Sequence, residues 1–139
     1  MEGQINFFSE DINFELDNAL TISEWIHNTI SAEAKISGNI SYIFCSDQYL
    51  YKMNLEHLNH DTFTDIITFN YCVEDLISSD VFISIDRVKD NAVTYKNSFQ
   101  KELHRVIIHG ILHLVGYDDK TKEDQVIMRA KEDFYLTLL

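Results

Sequence analysis

The stretch His109-Gly110-Ile111-Leu112-His113-Leu114-Val115-Gly116-Tyr117-Asp118-Asp119 constrains this chain more than any other, because it reads as a metal site folded around one helix end. His109 and His113 are four residues apart, slightly over one helical turn, so both imidazoles project from the same face. Gly116 supplies the left-handed residue that commonly stops a helix, and the chain then turns back so that Asp119 offers a carboxylate to the same point. Two histidines and one carboxylate suit Zn²⁺ with an open position for water, and non-haem iron accepts the same trio. The competing account is two histidines each satisfied by a backbone carbonyl or a neighbouring carboxylate. It is weakened by the neighbours Val106, Ile107, Ile108, Ile111, Leu112, Leu114 and Val115, which predict a helix buried nearly all round, where an unpartnered imidazole is costly.

The spacing H-x-x-x-H-x-x-G-x-x-D overlays a metal-peptidase pattern, yet those enzymes carry Glu directly after the first His as general base. This chain has Gly110 there, which argues against a peptidase. The run instead resembles the H-G-x-L-H-L-x-G-Y-D-H signature of the YbeY family of bacterial rRNA maturation factors. Met53-Asn54 through Phe69, with Asp61, Thr64-Asp65 and Ile66-Ile67-Thr68-Phe69, is similar to a second block of that family. Asp80-Val81-Phe82-Ile83-Ser84 resembles its G-D-I-x-I-S strand, and Met128 with Glu132 falls where its last helix has M…E. The resemblance implies a zinc-dependent endoribonuclease specific for single strands, with Asp119 in the place of the third ligand histidine. Leu58 stands where the family has an arginine implicated in its ribonuclease chemistry, and Phe63 where it has a proline.

Hydrophobic residues make up 45% of the 139, which suits one compact domain over residues 1–139 with its own core. Proline is absent, and no linker, repeat or low-complexity segment stands out. Met1-Glu2-Gly3-Gln4 is acidic and no apolar run of membrane length follows, so neither a signal peptide nor a spanning helix is expected and the protein is expected in the cytoplasm. Cys45 and Cys72 form no C-x-x-C and read as small hydrophobes in a reducing compartment.

The formal net charge of −12 is awkward for a protein that binds phosphate. Its distribution is uneven: residues 1–86 hold −13, residues 106–139 hold −2, and residues 87–105 hold +3 through Arg87, Lys89, Lys96, Lys101 and Arg105. Those five are candidate RNA contacts, against the plain alternative of a solvated helical surface.

Hydrophobic periodicity predicts strands at Ile5–Phe8, Ile40–Phe44, Thr64–Tyr71 and Asp80–Ile85. Helices are predicted over Ser23–Lys35, Asp47–Leu58, Asp86–Tyr95, Phe99–Val115 and Thr121–Leu138, with Thr21 and Glu24 spaced as a capping box and Gly38-Asn39 as a break. The order implies an α+β fold: a small mixed sheet of about four strands covered by helices, with the metal site at the end of a central buried helix. His104, about 140° round the helix from His109, is not expected to be a ligand. The resemblance implies a substrate strand passing His57 and His60, which otherwise read as plain loop histidines on the surface; Phe63 and Tyr117 are possible base-stacking rings, with packing beneath the turn the preferred reading of Tyr117.

The expected function is metal-dependent cleavage of single-stranded RNA in rRNA maturation and ribosome assembly. His109, His113 and Asp119 hold one divalent metal, Zn²⁺ first, and Asp65 and Asp118 are the candidate proton-handling residues. The implied partners are single-stranded or ribosomal RNA and the small ribosomal subunit or its assembly factors, with no membrane and no DNA. The alternatives are a non-catalytic assembly factor stabilised by its metal and, less favoured, a metallo-hydrolase of a small molecule or peptide.

Overall fold

The computed structural model describes residues 3–59 and 63–139, so the expectations placed on His60 and Asp61 lie outside the described residues. In chain order the elements are β1 (Ile5–Ser9), α1 (Ala19–Ala32), β2 (Ile36–Cys45), α2 (Asp47–Leu58), β3 (Ile66–Asn70), β4 (Leu76–Ser84), α3 (Ile85–Thr94), α4 (Phe99–Leu114) and α5 (Lys122–Leu136). The four strands form one sheet in the order β1-β2-β4-β3. β1 and β4 both run parallel to β2, and β3 runs antiparallel to β4 with Ile66 opposite Ile83. This is the α+β architecture with a mixed four-stranded sheet that the periodicity implied.

Alternation along the strands divides the sheet into two unequal faces. On one face Ile40, Tyr42 and Phe44 of β2 and Val81 and Ile83 of β4 are buried. They meet Ile22, Ile26 and Ile30 of α1 and Leu103, Ile107 and Ile111 of α4, each set spaced at helical intervals of four. On the other face α2 lays Leu50 over Cys45 and Ile67, a smaller cluster ringed by Tyr49, Met53, Phe69 and Phe82.

Helix α4 is the centre of the larger layer. It packs against the sheet, α1, α3 and α5, so Leu103, Val106, Ile107, Ile108, Ile111 and Leu112 are all buried. Fully burying each such side chain contributes roughly 1.5–3 kcal/mol. Two long-range bonds fix its surroundings: Tyr42 Oη donates to the Ile107 carbonyl at 3.1 Å, and Trp25 Nε1 donates to the Tyr135 carbonyl at 2.8 Å, tying α1 to α5. Among the described residues no helix is long and apolar enough to cross a membrane.

Two local expectations are corrected. Helix α1 starts at Ala19, and its N-cap is Asn18 in the left-handed region (φ 57°) with no side-chain cap; Thr21 and Glu24 both fall inside the helix. Asn tolerates that backbone conformation better than most residues, so the chain enters the helix directly from the loop carrying Phe14 and Leu16. The capping box forms instead on α5, between Thr121 and Asp124. Gly38-Asn39 does not break the chain either. The pair sits within β2 where the register against β4 shifts between Ser37 and Ile40, and a bulge absorbs the extra residue without ending the strand.

Candidate metal centre

Helix α4 is capped by Ser98, whose side chain accepts from the Lys101 amide at 3.1 Å, and runs from Phe99 without interruption to Leu114. This straight run places the His109 and His113 rings 4.6 Å apart at 82° on one face, with side chains 22% and 28% exposed. Gly110, on a different face, presses against the sheet. A Cβ there would lie 2.9 Å from Ile66 Cδ1 and 3.4 Å from Thr68 Cγ2. The position that carries a general base in the peptidase pattern therefore faces the sheet and its apolar side chains.

The helix ends as the glycine implied. Gly116 has φ +119°, its amide donates to the His113 carbonyl at 3.1 Å, and the Tyr117 amide donates to the Leu112 carbonyl at 3.0 Å. This pair of bonds is the Schellman closure of a helix C-terminus, satisfying two carbonyls that would otherwise lack partners. The reversed chain brings Asp119 Oδ2 to 3.3 Å from His113 Nε2 and 3.4 Å from His109 Nε2. Gln125 Nε2 holds the Asp119 carbonyl from α5 at 3.0 Å. One ligand atom from each of His109, His113 and Asp119 lies within 4.8 Å of the others, so the three can hold a metal ion. Asp118, next in line, is exposed and outside that group.

Support for the ligands comes from α5. His109 Nδ1 lies 2.7 Å from Glu132 Oε2, and a buried carboxylate there can only accept. The Nδ1 proton is thereby fixed and the Nε2 lone pair aimed at the site, the usual arrangement of a metal-ligating histidine. Arg105 Nη1 donates to the other Glu132 oxygen at 2.9 Å, and Nη2 to Asp133 at 2.8 Å. Burial alone would raise the Glu132 carboxyl, but the bonds from His109 and Arg105 outweigh it and hold the group below the usual carboxylate range. His109 shows the converse balance. Burial disfavours its cation, while Glu132, Asp65 and Asp119 favour it more, so its pKa is raised.

Asp65 lies between Thr64 and β3, its Oδ2 3.5 Å from Asn91 Nδ2, and lines a cleft of about 210 Å³ with His109 and Glu132. Burial pushes its carboxyl up, against the opposing influence of His109.

The basic cluster is rearranged by the fold. Arg105, expected as an RNA contact, has a side chain only 8% exposed and is taken up by buried Glu132 and by Asp133 at the surface. It sits one turn before His109 on the same face, which turns inward. Arg87 reaches Asp47 at 2.6 Å and Asp90 at 3.7 Å, with its guanidinium 5.6 Å above the Phe63 ring. Lys89, Lys96 and Lys101 are exposed. Of the other aromatic and histidine candidates, His104 packs edge-on to Trp25 and burial lowers its pKa. His57, expected in a loop, lies instead in the last turn of α2, exposed beside Phe69; Phe63 stacks on Tyr51 at 4.5 Å, and Tyr117 packs below the turn with its hydroxyl donated to Glu33.

Sequence reasoning matched Glu132 to a motif without assigning its role. The signal was present: Met128, Glu132 and Tyr135 form the buried stripe of α5, and a carboxylate within such a stripe requires a partner.

A family model described as Endoribonuclease YbeY matches residues 4–139. The chain is 51% identical over 126 residues to an "Endoribonuclease YbeY" of Flavobacterium johnsoniae, covering 91% of each chain. It is 51% identical over 139 residues to one of Cytophaga hutchinsonii, covering 99% of this chain and 96% of that one. The solution structure of a protein from Thermotoga maritima superposes with a TM-score of 0.68 at 26% identity, covering 96% of this chain and 87% of the other. With a family match that spans nearly the whole chain, including the helix that carries both histidines, the protein belongs to the endoribonuclease YbeY family.

Proposed function

We propose that this protein is a metal-dependent endoribonuclease that hydrolyses phosphodiester bonds of single-stranded RNA, acting in the cytoplasm on ribosomal RNA during small-subunit assembly. The observation that carries the reading is the convergence of His109 Nε2, His113 Nε2 and Asp119 Oδ2, with His109 oriented from behind by Glu132. The donor set fits a divalent ion: two nitrogens and one oxygen, Zn²⁺ first, with Mn²⁺ or Fe²⁺ tolerated because a carboxylate is a harder ligand than imidazole. When bound, such an ion activates water near neutral pH and polarises a phosphoryl oxygen.

The protein's own groups supply the rest. Glu132 holds the His109 tautomer, and Arg105 holds Glu132 ionised. Asp65, raised by burial and lining the cleft beside His109, is better suited than exposed Asp118 to carry a proton. Leu58, 40% exposed at the end of α2, offers no charge to a phosphate, which leads us to expect slow turnover.

A time course on an unstructured RNA tests the proposal. Cleavage should require divalent metal, stop with chelator and disappear in His113→Ala. Equal cleavage by wild type and His113→Ala would identify a contaminant and leave a metal-stabilised, non-catalytic assembly factor as the better reading.

A further inference from the structure

Three clefts meet beside the metal centre, and a single cationic side chain lines all of them. The first, about 210 Å³, includes Asp65, Asn91, Tyr95, His109 and Arg129. The second, about 510 Å³, includes Tyr95, His109, Asp119, Gln125 and Arg129. The third, about 570 Å³, continues along α5 past Lys122, Gln125, Arg129 and Asp133. Together they trace a path from Asp65, across the metal ligands, to the start of α5, with Arg129 common to all three.

The charge of Arg129 is accessible. Its side chain is 57% exposed, and its contact with Glu132 Oε1 is 3.8 Å, beyond hydrogen-bond range. That oxygen already accepts from Arg105 at 2.9 Å, so Arg129 is not needed to satisfy it. Arg105, the other arginine in the first cleft, is buried and held by two carboxylates. Lys89, Lys96 and Lys101 line none of the three clefts. In a protein of net charge −12, a polyanion entering this path meets one exposed guanidinium next to the ligands. Its planar fork of donors matches a phosphate better than an ammonium group does. Tyr95, 61% exposed, lines the two clefts that touch His109 and presents a ring on which a base can stack.

We propose that Arg129 binds a backbone phosphate of the RNA beside the metal centre and that Tyr95 stacks the adjacent base. This assignment rests on the reading of the site as acting on single-stranded RNA. It adds the residues that hold the strand.

The test is the binding of a fluorescein-labelled, unstructured oligoribonucleotide by the full chain in chelator, where turnover is blocked, across a salt series. Arg129→Gln should weaken binding and lower the magnitude of the log–log salt slope by about 0.7, the single-strand value for one phosphate contact. Arg129→Lys should keep the slope. Tyr95→Ala should weaken binding roughly five- to a hundredfold with the slope unchanged, because stacking releases no counterions. Lys52→Gln, on α2 and away from all three clefts, should match wild type. Zn²⁺ uptake should be the same in Arg129→Gln as in wild type. A wild-type slope in Arg129→Gln overturns the assignment, and so does loss of Zn²⁺ uptake, which would make the residue a support for Glu132. Wild type that binds with this slope pattern but never cleaves removes the nuclease reading alone. Metal-dependent cleavage with an unchanged Arg129→Gln slope removes only the assignment.

Discussion

Two glutamates, Glu33 packed against α5 and Glu132 carried by it, put the same chemistry to different ends. Glu33, just after α1, has a side chain 12% exposed and receives the Tyr117 hydroxyl at 2.6 Å, the Tyr135 hydroxyl, and Lys131 Nζ at 3.3 Å. Glu132, 6% exposed, receives Arg105 at 2.9 Å and faces His109 Nδ1 at 2.7 Å. Burial pushes both carboxyls up, and in both the donors outweigh it and hold the pKa below the ordinary value. The difference lies in the donors. The hydroxyls and ammonium around Glu33 end their work in that bond, whereas His109 has a second nitrogen that faces Asp119. A buried carboxylate serves a site when one of its donors has another atom to present, and serves only the fold when none has.

The sharpest way to break this contrast is Glu132→Leu. It leaves the buried Arg105 charge with only the exposed Asp133 as partner, costing up to about 3–5 kcal/mol, and frees the His109 ring, weakening metal binding by about 10- to 100-fold. Denaturant unfolding and a Zn²⁺ titration report the two losses separately. Adding Arg105→Met should recover most of the stability and none of the affinity, since an apolar pair replaces an ion pair without orienting the histidine. Stability and affinity that recover together would show Glu132 acting only as a packing residue.

Glu33→Leu is the matching change at the other glutamate. It should cost about 1–3 kcal/mol through the donors left without their acceptor, with Zn²⁺ affinity unchanged. A parallel fall in affinity would mean that the turn below Tyr117, rather than Glu132, sets the ligand geometry.

The contribution of Glu33 should also fade in acid. Its carboxyl titrates lower in the folded state than its ordinary 4.5, so its stabilisation is fully present above that value and lost as pH falls through the lowered one. Unfolding of wild type and Glu33→Gln at neutral pH and in acid should therefore show a gap that closes on acidification. A constant gap would contradict the ionised form.

The smallest effect belongs to Tyr117→Phe. It removes one of three donors to Glu33 and should cost about 0.5–1.5 kcal/mol, leaving metal uptake as in wild type by the same titration.

Much of this was legible in the residues. The bounds of α2 follow from its spacing, and the expected extent of α4 overruns by the single residue Val115. The His109/His113 face follows from the helical repeat, and the approach of Asp119 from the stop at Gly116, because both are local. Arg105 was misplaced because counting charge along a segment ignores direction. At one turn before His109 it shares the histidine face, and that face turns toward α5. The start of α1 was hidden because Asn18 caps by backbone conformation, without the side-chain bond that a motif search seeks. Arg129 lies on α5 and Tyr95 caps the end of α3, and only the packing of both helices against α4 brings them to one path.

The compactness of the ligand set in sequence has a kinetic consequence. His113 and Asp119 are separated by 6 residues, whereas the parallel pairings of β1 with β2 and β2 with β4 must each close across an intervening helix. Short loops close sooner and at smaller entropic cost, so the three donors can gather once α4 is helical, ahead of the sheet. Glu132, 23 residues from His109, joins when α5 docks. A metal ion present during refolding then meets a partly organised chain as well as the native one. Its affinity for that chain subtracts from the stabilisation it gives the finished fold, which will be smaller than native affinity alone implies.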